Sequence, residues 1–446
     1  MDKNIGLVSL GCPKNLVDSE LMLGALKGHG YKIVTDSDQA QIIIVNTCGF
    51  IESAKQESIN TIIEMAKYKK RNCELLIVTG CLAQRYRQMI LDEIPEVDAV
   101  LGTGSYSEIA EVINHAYEGT HPALYGDLEG TKYLEGDRVL STGNGYAYLK
   151  IAEGCDNCCT YCIIPSLRGR FRSRKIEDIL HEAQKLAAAG IKEVVLVAQD
   201  TTRYGLDIYG TKQLTELIRK LSMLDGIEWI RLLYCYPEEI DEQLIQEITS
   251  NNKVCKYLDI PIQHASDPVL KRMARRGKSS DTAMLLDKLR KQIPDIVLRT
   301  TLIVGFPGES EEDFEILYEF VKKYRFDRLG VFMYSKEEDT PAAKMKEQIP
   351  SGTKKKRHTK LMKLQSQISA ELNAERLGRT YQVLVEGVSE DGIFYFGRSY
   401  AEAPDIDGLI YFTSKEPLEI GQMVHVEILN SEDYDLTGEV IYESAQ

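Results

Sequence analysis

The chain has 446 residues, of which 43% are hydrophobic and 27% are charged, and its formal net charge at pH 7 is −14. Its length suggests about three domains, and this composition is typical of folded proteins with a sizeable core. The negative charge argues against a general nucleic-acid binder. No apolar run approaches the ~18 residues of a membrane-spanning helix. Residues 5–10 are too short for a signal-peptide core, so we expect a cytoplasmic protein without membrane contacts.

The first region alternates short apolar runs with helical patterns. Strands are predicted at residues 5–10, 41–46, 75–79 and 97–101, and helices at 16–27, 51–68 and 107–117. This alternation predicts a parallel sheet with helices on both faces. Cys12, Cys48 and Cys81 each follow a predicted strand by two residues. Parallel sheets bind ligands at this carboxyl edge, so the fold would bring the three thiols together. Spacing alone leaves coincidence open as an explanation.

A second α/β region follows residues 119–145, which are rich in Gly, Thr and charge and predict a linker. Its predicted strands are residues 146–152, 193–198, 229–234, 257–261, 297–304 and 328–334, with helices such as 176–189 and 282–291 between them. Six parallel strand–helix units predict a partial barrel instead of the full eight. A helical pattern then extends to residue 377. It opens with the basic run 354–358, for which a solvated helix face is favoured over a phosphate contact.

The last region, from residue 378, has the pattern of a small β-barrel. Residues 382–385, 393–396, 408–412 and 423–428 alternate apolar and polar side chains, and Gly and Asp mark the turns between them. This pattern predicts a small antiparallel barrel.

Cys155, Cys159 and Cys162 form a C-x3-C-x2-C motif directly after the first strand of the second region. In a reducing compartment, clustered cysteines indicate metal or redox chemistry, and thiolates suit zinc or iron–sulfur clusters. Three cysteines this close can hold three irons of a [4Fe–4S] cluster and leave the fourth iron open. Cys158 is a possible fourth ligand, which leaves a zinc site as an alternative hypothesis. Zinc sites usually pair two such motifs, however.

This arrangement resembles the radical S-adenosylmethionine superfamily. The resemblance implies that the open iron binds S-adenosylmethionine, that Tyr161 lies near the adenine, and that an electron from the cluster generates a 5′-deoxyadenosyl radical. Other strand ends carry residues suited to a cofactor cradle. These are Gln199 after the second strand, Gln263 after the fourth, and Gly305 and Glu309 after the fifth.

The whole chain resembles the methylthiotransferases within that superfamily. The segments that carry the resemblance are Ser9-Leu10-Gly11-Cys12-Pro13-Lys14-Asn15, Asn46-Thr47-Cys48, Thr79-Gly80-Cys81 and residues 162–170. It implies an auxiliary [4Fe–4S] cluster on Cys12, Cys48 and Cys81, hence two clusters, with S-adenosylmethionine as both methyl donor and radical source. The implied domains are an N-terminal domain (1–118), a linker (119–145), a radical domain (146–377) and a TRAM barrel (378–446).

Two features address the substrate. The string from Gly11 to Glu20 resembles the branch that modifies an aspartate of small-subunit ribosomal protein S-twelve; the tRNA-modifying branch typically has Gln-Met-Asn after the first cysteine. Residues 378–446 contain three basic and fourteen acidic side chains, a net charge of −11. Such a domain would repel tRNA and attract a basic ribosomal protein, although acidic residues can also serve solubility alone.

The sequence therefore favours methylthiolation of an aspartate β-carbon in ribosomal protein S-twelve. An electron donor such as flavodoxin or ferredoxin is expected as a partner, and no stable nucleic-acid binding is expected. The enzyme alternative is a tRNA adenosine methylthiotransferase, which would bind tRNA in a salt-sensitive manner. The non-enzymatic alternative is an iron–sulfur or zinc protein, which would not cleave S-adenosylmethionine. No acid–base residue is nominated, because a C–H bond without acidity is not opened by a general base.

Overall fold

The computed structural model describes residues 3–131, 134–143 and 145–442, which form two compact units. The first unit comprises Met1–Ser141, Lys150–Asp178 and Ser335–Ala343, and the second comprises Thr142–Leu149, Ile179–Tyr334 and Lys344–Gln446. Within these described ranges, no helix is both long and apolar enough to cross a membrane. The division into three domains and a linker stays a prediction. The predicted linker includes residues 132, 133 and 144, and the acidic count includes Glu443, all of which lie outside the described residues.

The N-terminal part of the first unit is a parallel sheet with helices on both faces, as predicted. Its elements are β1 (Asn4–Ser9), α1 (Pro13–Gly28), β2 (Lys32–Ile33), β3 (Ile42–Thr47), α2 (Glu52–Ala66), β4 (Leu75–Gly80), α3 (Cys81–Tyr86), α4 (Gln88–Glu93), β5 (Ala99–Leu101), α5 (Ile109–Tyr117) and β6 (Ala123–Leu124). The strand order is β2-β1-β3-β4-β5-β6, and each pairing is parallel.

The central strands of this sheet are apolar because both of their faces are covered. Every residue of β3 and β4 is buried. Successive side chains point to opposite faces of a strand. Ile44 accordingly lies in a core cluster with residues of α1 and α5, and Ile43 lies in a second cluster with residues of α2 and α3. The continuous apolar runs of the sequence thus follow from burial on both sides.

A second sheet has the order β14-β13-β12-β11-β10-β7. Its elements are β7 (Tyr146–Lys150), α7 (Ile176–Ala188), β10 (Glu193–Val197), α8 (Leu206–Tyr209), α9 (Leu214–Ser222), β11 (Trp229–Leu232), α10 (Glu242–Ser250), β12 (Val254–Asp259), α11 (Asp267–Arg272), α12 (Ser279–Gln292), β13 (Val297–Val304), α13 (Glu311–Tyr324) and β14 (Arg328–Met333), with the short β8 (Ala152–Glu153), α6 (Ile164–Arg168) and β9 (Arg172–Ser173) after β7. The pairings from β10 to β14 are parallel. The six predicted strand–helix units are therefore confirmed, in an open sheet.

The long helix α14 (Ser351–Ala374) precedes the C-terminal barrel. Its basic run does not form a uniformly solvated face: Lys355 and Lys356 are exposed, but Arg357 is buried and Lys354 is half-buried. The solvated-face interpretation is therefore wrong for those two residues. Positions three apart lie on one side of a helix, so Lys354 and Arg357 both turn toward the packed side.

The barrel is closed and contains β15 (Thr380–Val388), β16 (Tyr395–Arg398), β17 (Ile410–Thr413), β18 (Met423–Ser431) and β19 (Leu436–Val440) in the order β15-β16-β17-β19-β18. Within the described residues, β17 pairs with β19 in parallel, whereas the other pairings of the barrel are antiparallel. The predicted barrel is confirmed, with this one departure from antiparallel pairing. A ring with an odd number of strands cannot alternate direction throughout, so closure requires one parallel neighbour pair.

Buried ion pairs join the barrel to the sheet within the second unit. Arg398, which is 1% exposed, binds Glu193 of β10 at 2.8 Å, and Arg231 of β11 binds the same carboxylate at 2.5 Å. Glu402 binds Arg376 at 2.6 Å and Arg328 of β14 at 3.1 Å. Part of the barrel's acidic charge is thus already neutralised by arginines of the same unit.

Candidate functional site

The three N-terminal cysteines lie at the carboxyl edge of the first sheet. Cys12 lies three residues after β1, Cys48 directly follows β3, and Cys81 directly follows β4 and begins α3. Because β1, β3 and β4 are neighbours in the sheet, these chain positions are adjacent at one edge. The edge of an open parallel sheet at which strands end is the usual ligand position in this architecture.

The Cys12 and Cys81 thiols lie close enough to Cys48 to influence its pKa. A Cβ atom on Gly11, whose φ is +91°, would lie 2.9 Å from Cys48 Cβ and 3.2 Å from Cys48 Sγ. Burial raises the pKa of Cys48 to about 12, and the Cys81 and Cys12 thiols contribute to the rise. Burial also raises the pKa of Cys81, again with a contribution from Cys12. Three thiolates here would repel one another, and a bound metal centre would relieve that repulsion.

Side-chain hydrogen bonds hold the loops that carry these cysteines. Cys48 N donates to Ser58 Oγ of α2 at 3.0 Å, and Ser58 Oγ donates back to Cys48 O at 2.9 Å. Asn15 Nδ2 donates to Leu10 O at 2.6 Å, and Asn46 Nδ2 donates to Asn15 O at 2.9 Å. The polar residues that flank Cys12 and Cys48 in the sequence therefore tie their loops together.

A buried arginine from α6 reaches the same edge. Arg168, 2% exposed, donates from Nε and Nη2 to Cys81 Sγ, at 3.4 Å each. It also donates from Nη2 to Asn15 Oδ1 at 2.9 Å and from Nη1 to Asp18 Oδ2 at 2.6 Å. The sequence motifs did not predict a role for Arg168.

Arg168 belongs to a buried ionic network of balanced charge. Its Nη1 lies 3.2 Å from Glu153 Oε2, and Lys150 Nζ lies 2.8 Å from the same oxygen. Lys150 also binds Asp18, and Lys150, Asp18 and Glu153 are at most 1% exposed. Two cations thus face two carboxylates. The available sequence signal was the presence of Lys150 and Glu153 in an otherwise apolar strand run, since charged residues are rarely fully buried unless paired.

The second cysteine set lies in the loop between β8 and α6. Cys155 and Cys159 are each 7% exposed, whereas Cys158 is exposed. Asn157 Nδ2 donates to Cys155 Sγ at 3.5 Å, and Ile164 N donates to Cys162 Sγ at 3.4 Å. Burial raises the pKa of Cys162 to about 12, and the Cys159 and Cys155 thiols add to this effect. The geometry therefore separates Cys158 from the three thiols of the predicted motif.

The segment after β14 holds this loop within the first unit. Ala342 N donates to Thr160 O at 2.9 Å, next to Tyr161. The same segment is anchored by Glu337, which is 2% exposed and binds Lys55 of α2 at 3.1 Å and Arg85 of α3 at 3.0 Å. This anchoring residue was also missed from the sequence, because nothing local marks an isolated glutamate as buried.

The remaining predicted cofactor residues lie at strand ends of the second unit. Gln199 follows β10 by two residues, Gln263 follows β12 by four, and Gly305 directly follows β13. Gln263 has a φ of +69°, a strained conformation of the kind that clusters at functional sites. A Cβ on Gly305, whose φ is +73°, would lie 2.3 Å from Lys354 Cγ, so only glycine fits under this side chain.

Glu309 is turned into the protein and braces the turn that begins at Gly305. Its Oε2 accepts from Phe306 N at 2.9 Å, and its Oε1 accepts from Arg357 Nη1 at 3.0 Å. Burial raises the pKa of Glu309 to about 7, although Phe306 N–H and Arg357 oppose the rise. Neighbouring His264 is buried, and burial lowers its pKa to about 3. These contacts give Glu309 and Arg357 a part in shaping the turn.

Both thiol sets have the donor chemistry that iron–sulfur clusters take, which is cysteine thiolate. Among the described residues, no three Cys, His, Asp or Glu side chains close around a single metal ion. A cube of four irons spaces its thiolates more widely than one ion does. Asn46 Oδ1 and Thr79 Oγ1, which flank Cys48 and Cys81, are buried without a hydrogen-bond partner in the described structure. The three thiols and these unpartnered polar atoms at the sheet edge have donor chemistry that fits a bound iron–sulfur group.

Three family descriptions match successive parts of the chain. Residues 4–102 match the uncharacterized protein family UPF0004, residues 149–321 match the Radical SAM superfamily, and residues 377–441 match the TRAM domain. The three matches follow the order of the N-terminal sheet, the second sheet and the barrel.

Several full-length relatives carry the same name. A ribosomal protein uS12 methylthiotransferase RimO from Acetivibrio thermocellus is 61% identical, with 100% of both chains covered. Proteins of the same name from Lachnoclostridium phytofermentans and Clostridium kluyveri are each 55% identical. They cover 97% and 100% of this chain and 99% and 100% of their own lengths.

Two solved structures with a similar fold are those of radical S-adenosylmethionine enzymes. The methyltransferase TsrM from Kitasatospora setae, with cobalamin and a [4Fe-4S] cluster bound, has a TM-score of 0.54 at 14% identity and covers 86% of this chain and 81% of its own. OxsB, with aqua-cobalamin and S-adenosylmethionine bound, has a TM-score of 0.53 at 12% identity, covering 77% of this chain and 54% of its own. At these identities the likeness concerns the fold.

Proposed function

The chain belongs to the ribosomal protein uS12 methylthiotransferase family, and on that premise we propose how its own residues divide the work of the reaction. It is a radical S-adenosylmethionine enzyme, and the reaction we assign to it is methylthiolation of an aspartate β-carbon of ribosomal protein uS12. The observation that carries this assignment is the 61% identity to a RimO protein over the whole length.

Membership of the radical superfamily implies a [4Fe–4S] cluster and S-adenosylmethionine as cofactors. When bound, this pair supplies a 5′-deoxyadenosyl radical that removes a hydrogen atom from an unactivated carbon. Cys155, Cys159 and Cys162 would hold the cluster, and Asn157 and the Ile164 N–H would stabilise thiolate charge on Cys155 and Cys162. The burial of Cys155 and Cys159 limits the access of water to this loop.

The positions proposed to contact S-adenosylmethionine are Tyr161, Gln199, Gln263 and Gly305, with Glu309 bracing the turn after Gly305. The support for Gly305 is its position directly after β13, with a φ of +73° that favours glycine. The support for Gln263 is its strained φ at a strand end. These residues would bind and orient the cofactor, and no proton transfer is assigned to any of them.

We propose that the auxiliary [4Fe–4S] cluster binds to Cys12, Cys48 and Cys81. The proposal is supported by their adjacent strand ends, the effect of the Cys81 and Cys12 thiols on the pKa of Cys48, and the tight contact between Gly11 and Cys48. This site would receive the methyl group from a second S-adenosylmethionine on cluster-associated sulfur. An external reductant such as flavodoxin or ferredoxin would supply the electrons.

Charge on the barrel supports a basic protein substrate and weak tRNA binding. Glu402 is neutralised within the second unit, but Glu390, Asp391, Glu416, Glu419, Glu432, Asp433 and Glu439 are all exposed. A surface with this many carboxylates repels phosphates and attracts lysine- and arginine-rich protein. We therefore propose no stable nucleic-acid binding, and the tRNA-modifying alternative is the outcome that would contradict this argument.

The test is mass spectrometry of uS12 peptides after incubation with the reconstituted, reduced full-length protein and S-adenosylmethionine, with bulk tRNA treated in parallel. We expect a methylthio increment on one aspartate and none on tRNA. A methylthio increment on tRNA adenosine alone would contradict the substrate assignment.

Two variants separate the roles of the cysteine sets. Cys159→Ala should abolish deoxyadenosine formation and all product. Cys81→Ala should retain deoxyadenosine formation but lose the methylthio product, because only the auxiliary site is removed. Full methylthio product from the Cys81→Ala protein would contradict the auxiliary-site proposal while leaving the radical chemistry intact.

A further inference from the structure

The guanidinium of Arg168, at the end of α6, makes polar contacts with Cys81, one of the three auxiliary cysteines. Two of its N–H groups donate to the same atom, Cys81 Sγ, and both distances are 3.4 Å. The guanidinium cannot swing away, because Asn15 and Asp18 bind its Nη2 and Nη1 at 2.9 and 2.6 Å. The donors are therefore held toward the sulfur by contacts on the other sides of the same planar group.

The backbone that carries Arg168 is equally well held. Ile163 and Leu167 pack with Cys81 in a buried apolar cluster, and the partly buried Phe50 packs against it. Thr103 Oγ1 donates to Leu167 O at 2.6 Å. Helix α6 begins two residues after Cys162 and ends at Arg168. The helix that follows the loop of the second cysteine set therefore ends beside Cys81. The geometry is thus rigid on both the backbone and the side-chain side.

Donation to a ligand sulfur changes the energy of an iron–sulfur cluster in a defined direction. Reduction adds negative charge to the cluster and its thiolates, and N–H donors and nearby cations stabilise the reduced form more than the oxidised form. Lys150, Asp18 and Glu153 together with Arg168 carry no net charge. The oriented N–H groups, more than net charge, therefore distinguish this environment.

We propose that Arg168 is a positioning residue that raises the reduction potential of the auxiliary cluster through its two hydrogen bonds to the Cys81 sulfur. This inference rests on the proposed auxiliary cluster. It assigns a role in the auxiliary site to a residue of the segment that directly follows the radical cysteines. A change at position 168 should therefore alter the auxiliary cluster without removing any cysteine.

The experiment uses the full chain with Cys155, Cys159 and Cys162 replaced by Ala, so that only the auxiliary cluster titrates. The midpoint of its one-electron reduction by dithionite is followed by electron paramagnetic resonance in the parent, Arg168→Lys and Arg168→Met proteins. The matched control is Arg170→Gln, because Arg170 is 79% exposed and lies 3.6 Å from its partner Asp156. Iron and sulfide per chain are measured for each protein.

In Arg168→Met we expect a lower midpoint potential for the auxiliary cluster. At the parent's midpoint potential, the ratio of oxidised to reduced cluster should rise at least tenfold, which corresponds to a fall in the midpoint potential of about 59 mV. Arg168→Lys keeps the positive charge but loses the fixed pair of donors. In this variant the ratio of oxidised to reduced cluster should therefore also rise, by at least threefold. Arg170→Gln should leave the midpoint unchanged. If the Met variant does not fold, the Lys variant decides, because it can keep an ion pair with Asp18.

A cluster-loaded Lys variant with the parent's midpoint would overturn the inference, because charge alone would then account for the potential. A folded Lys variant without iron would also overturn it, because the role of Arg168 would then be cluster assembly. Failure of the parent itself to bind iron would instead refute the auxiliary cluster of the proposed function, so the two failures are distinguishable.

Discussion

Glu402 offers a stability test of how the barrel is attached within the second unit. Its side chain is 2% exposed and accepts hydrogen bonds from Arg376 at 2.6 Å, Arg328 at 3.1 Å and Ser399 Oγ at 2.6 Å. Glu402→Gln keeps the shape and removes the charge. Both guanidinium groups would then remain largely buried without their carboxylate, which is the costly way to break a buried ion pair.

The expected cost follows from the pKa of Glu402. Burial acts to raise this pKa, but Arg376 and Arg328 outweigh it and lower the pKa from 4.5 to about 2. That drop corresponds to about 3 kcal/mol of stability at neutral pH, at the lower end of the ~3–5 kcal/mol found on breaking buried pairs. Because the folded-state pKa is depressed, this stabilisation is present above pH 4.5 and is lost as the pH falls through about 2.

The chain has a single tryptophan, Trp229 in β11 of the second unit, so its fluorescence reports unfolding there. We expect Glu402→Gln to lower the urea midpoint without changing the dependence of the free energy of unfolding on urea concentration. The loss in free energy of unfolding relative to the parent should shrink below pH 4.5. The matched control is Glu419→Gln, because Glu419 is exposed on the same barrel. A loss in free energy of unfolding below about 1 kcal/mol, or an equal loss in the control, would refute the reasoning.

Three predictions concern the cysteine sites. Cys158→Ala should keep full iron content and deoxyadenosine formation, because Cys158 is exposed and the other three thiols of its loop are not; loss of cluster absorbance would contradict the ligand assignment. Cys48→Ala should lose about half of the iron and all methylthio product while retaining deoxyadenosine formation; unchanged iron would contradict it. Gly11→Ala should lower auxiliary iron in a folded chain, because its Cβ would meet Cys48 at 2.9 Å, whereas Gly28→Ala, with no atom within 4 Å, should not.

The local sequence pattern was sufficient to predict the strands and helices and to place the cysteines relative to them. The runs around β3 and β4 are apolar because each face of the strand is buried, and this burial leaves a direct signal in the sequence. Cys48 and Cys81 follow those strands directly, so chain position alone placed them at one sheet edge. The ligand role of these cysteines stays a prediction until iron binding is measured.

Topology imposed one feature that strand patterns do not encode. Alternating residues identified the barrel strands, but the parallel pairing of β17 with β19 follows from closing a ring of five. The basic run at the start of α14 shows a similar limit. Its composition suggested solvated charge, whereas the helical position of Arg357 buries it against Glu309.

The sequence by itself determined the elements, the two sets of cysteines and the family, because those depend on short periodic patterns and motifs. Only the tertiary structure decided which charges meet around Cys81. Asp18 is 132 residues from Lys150 and 150 residues from Arg168, yet all three share one buried network. Burial makes each charge dependent on the others, and no local pattern records a partner that folding brings from so far along the chain.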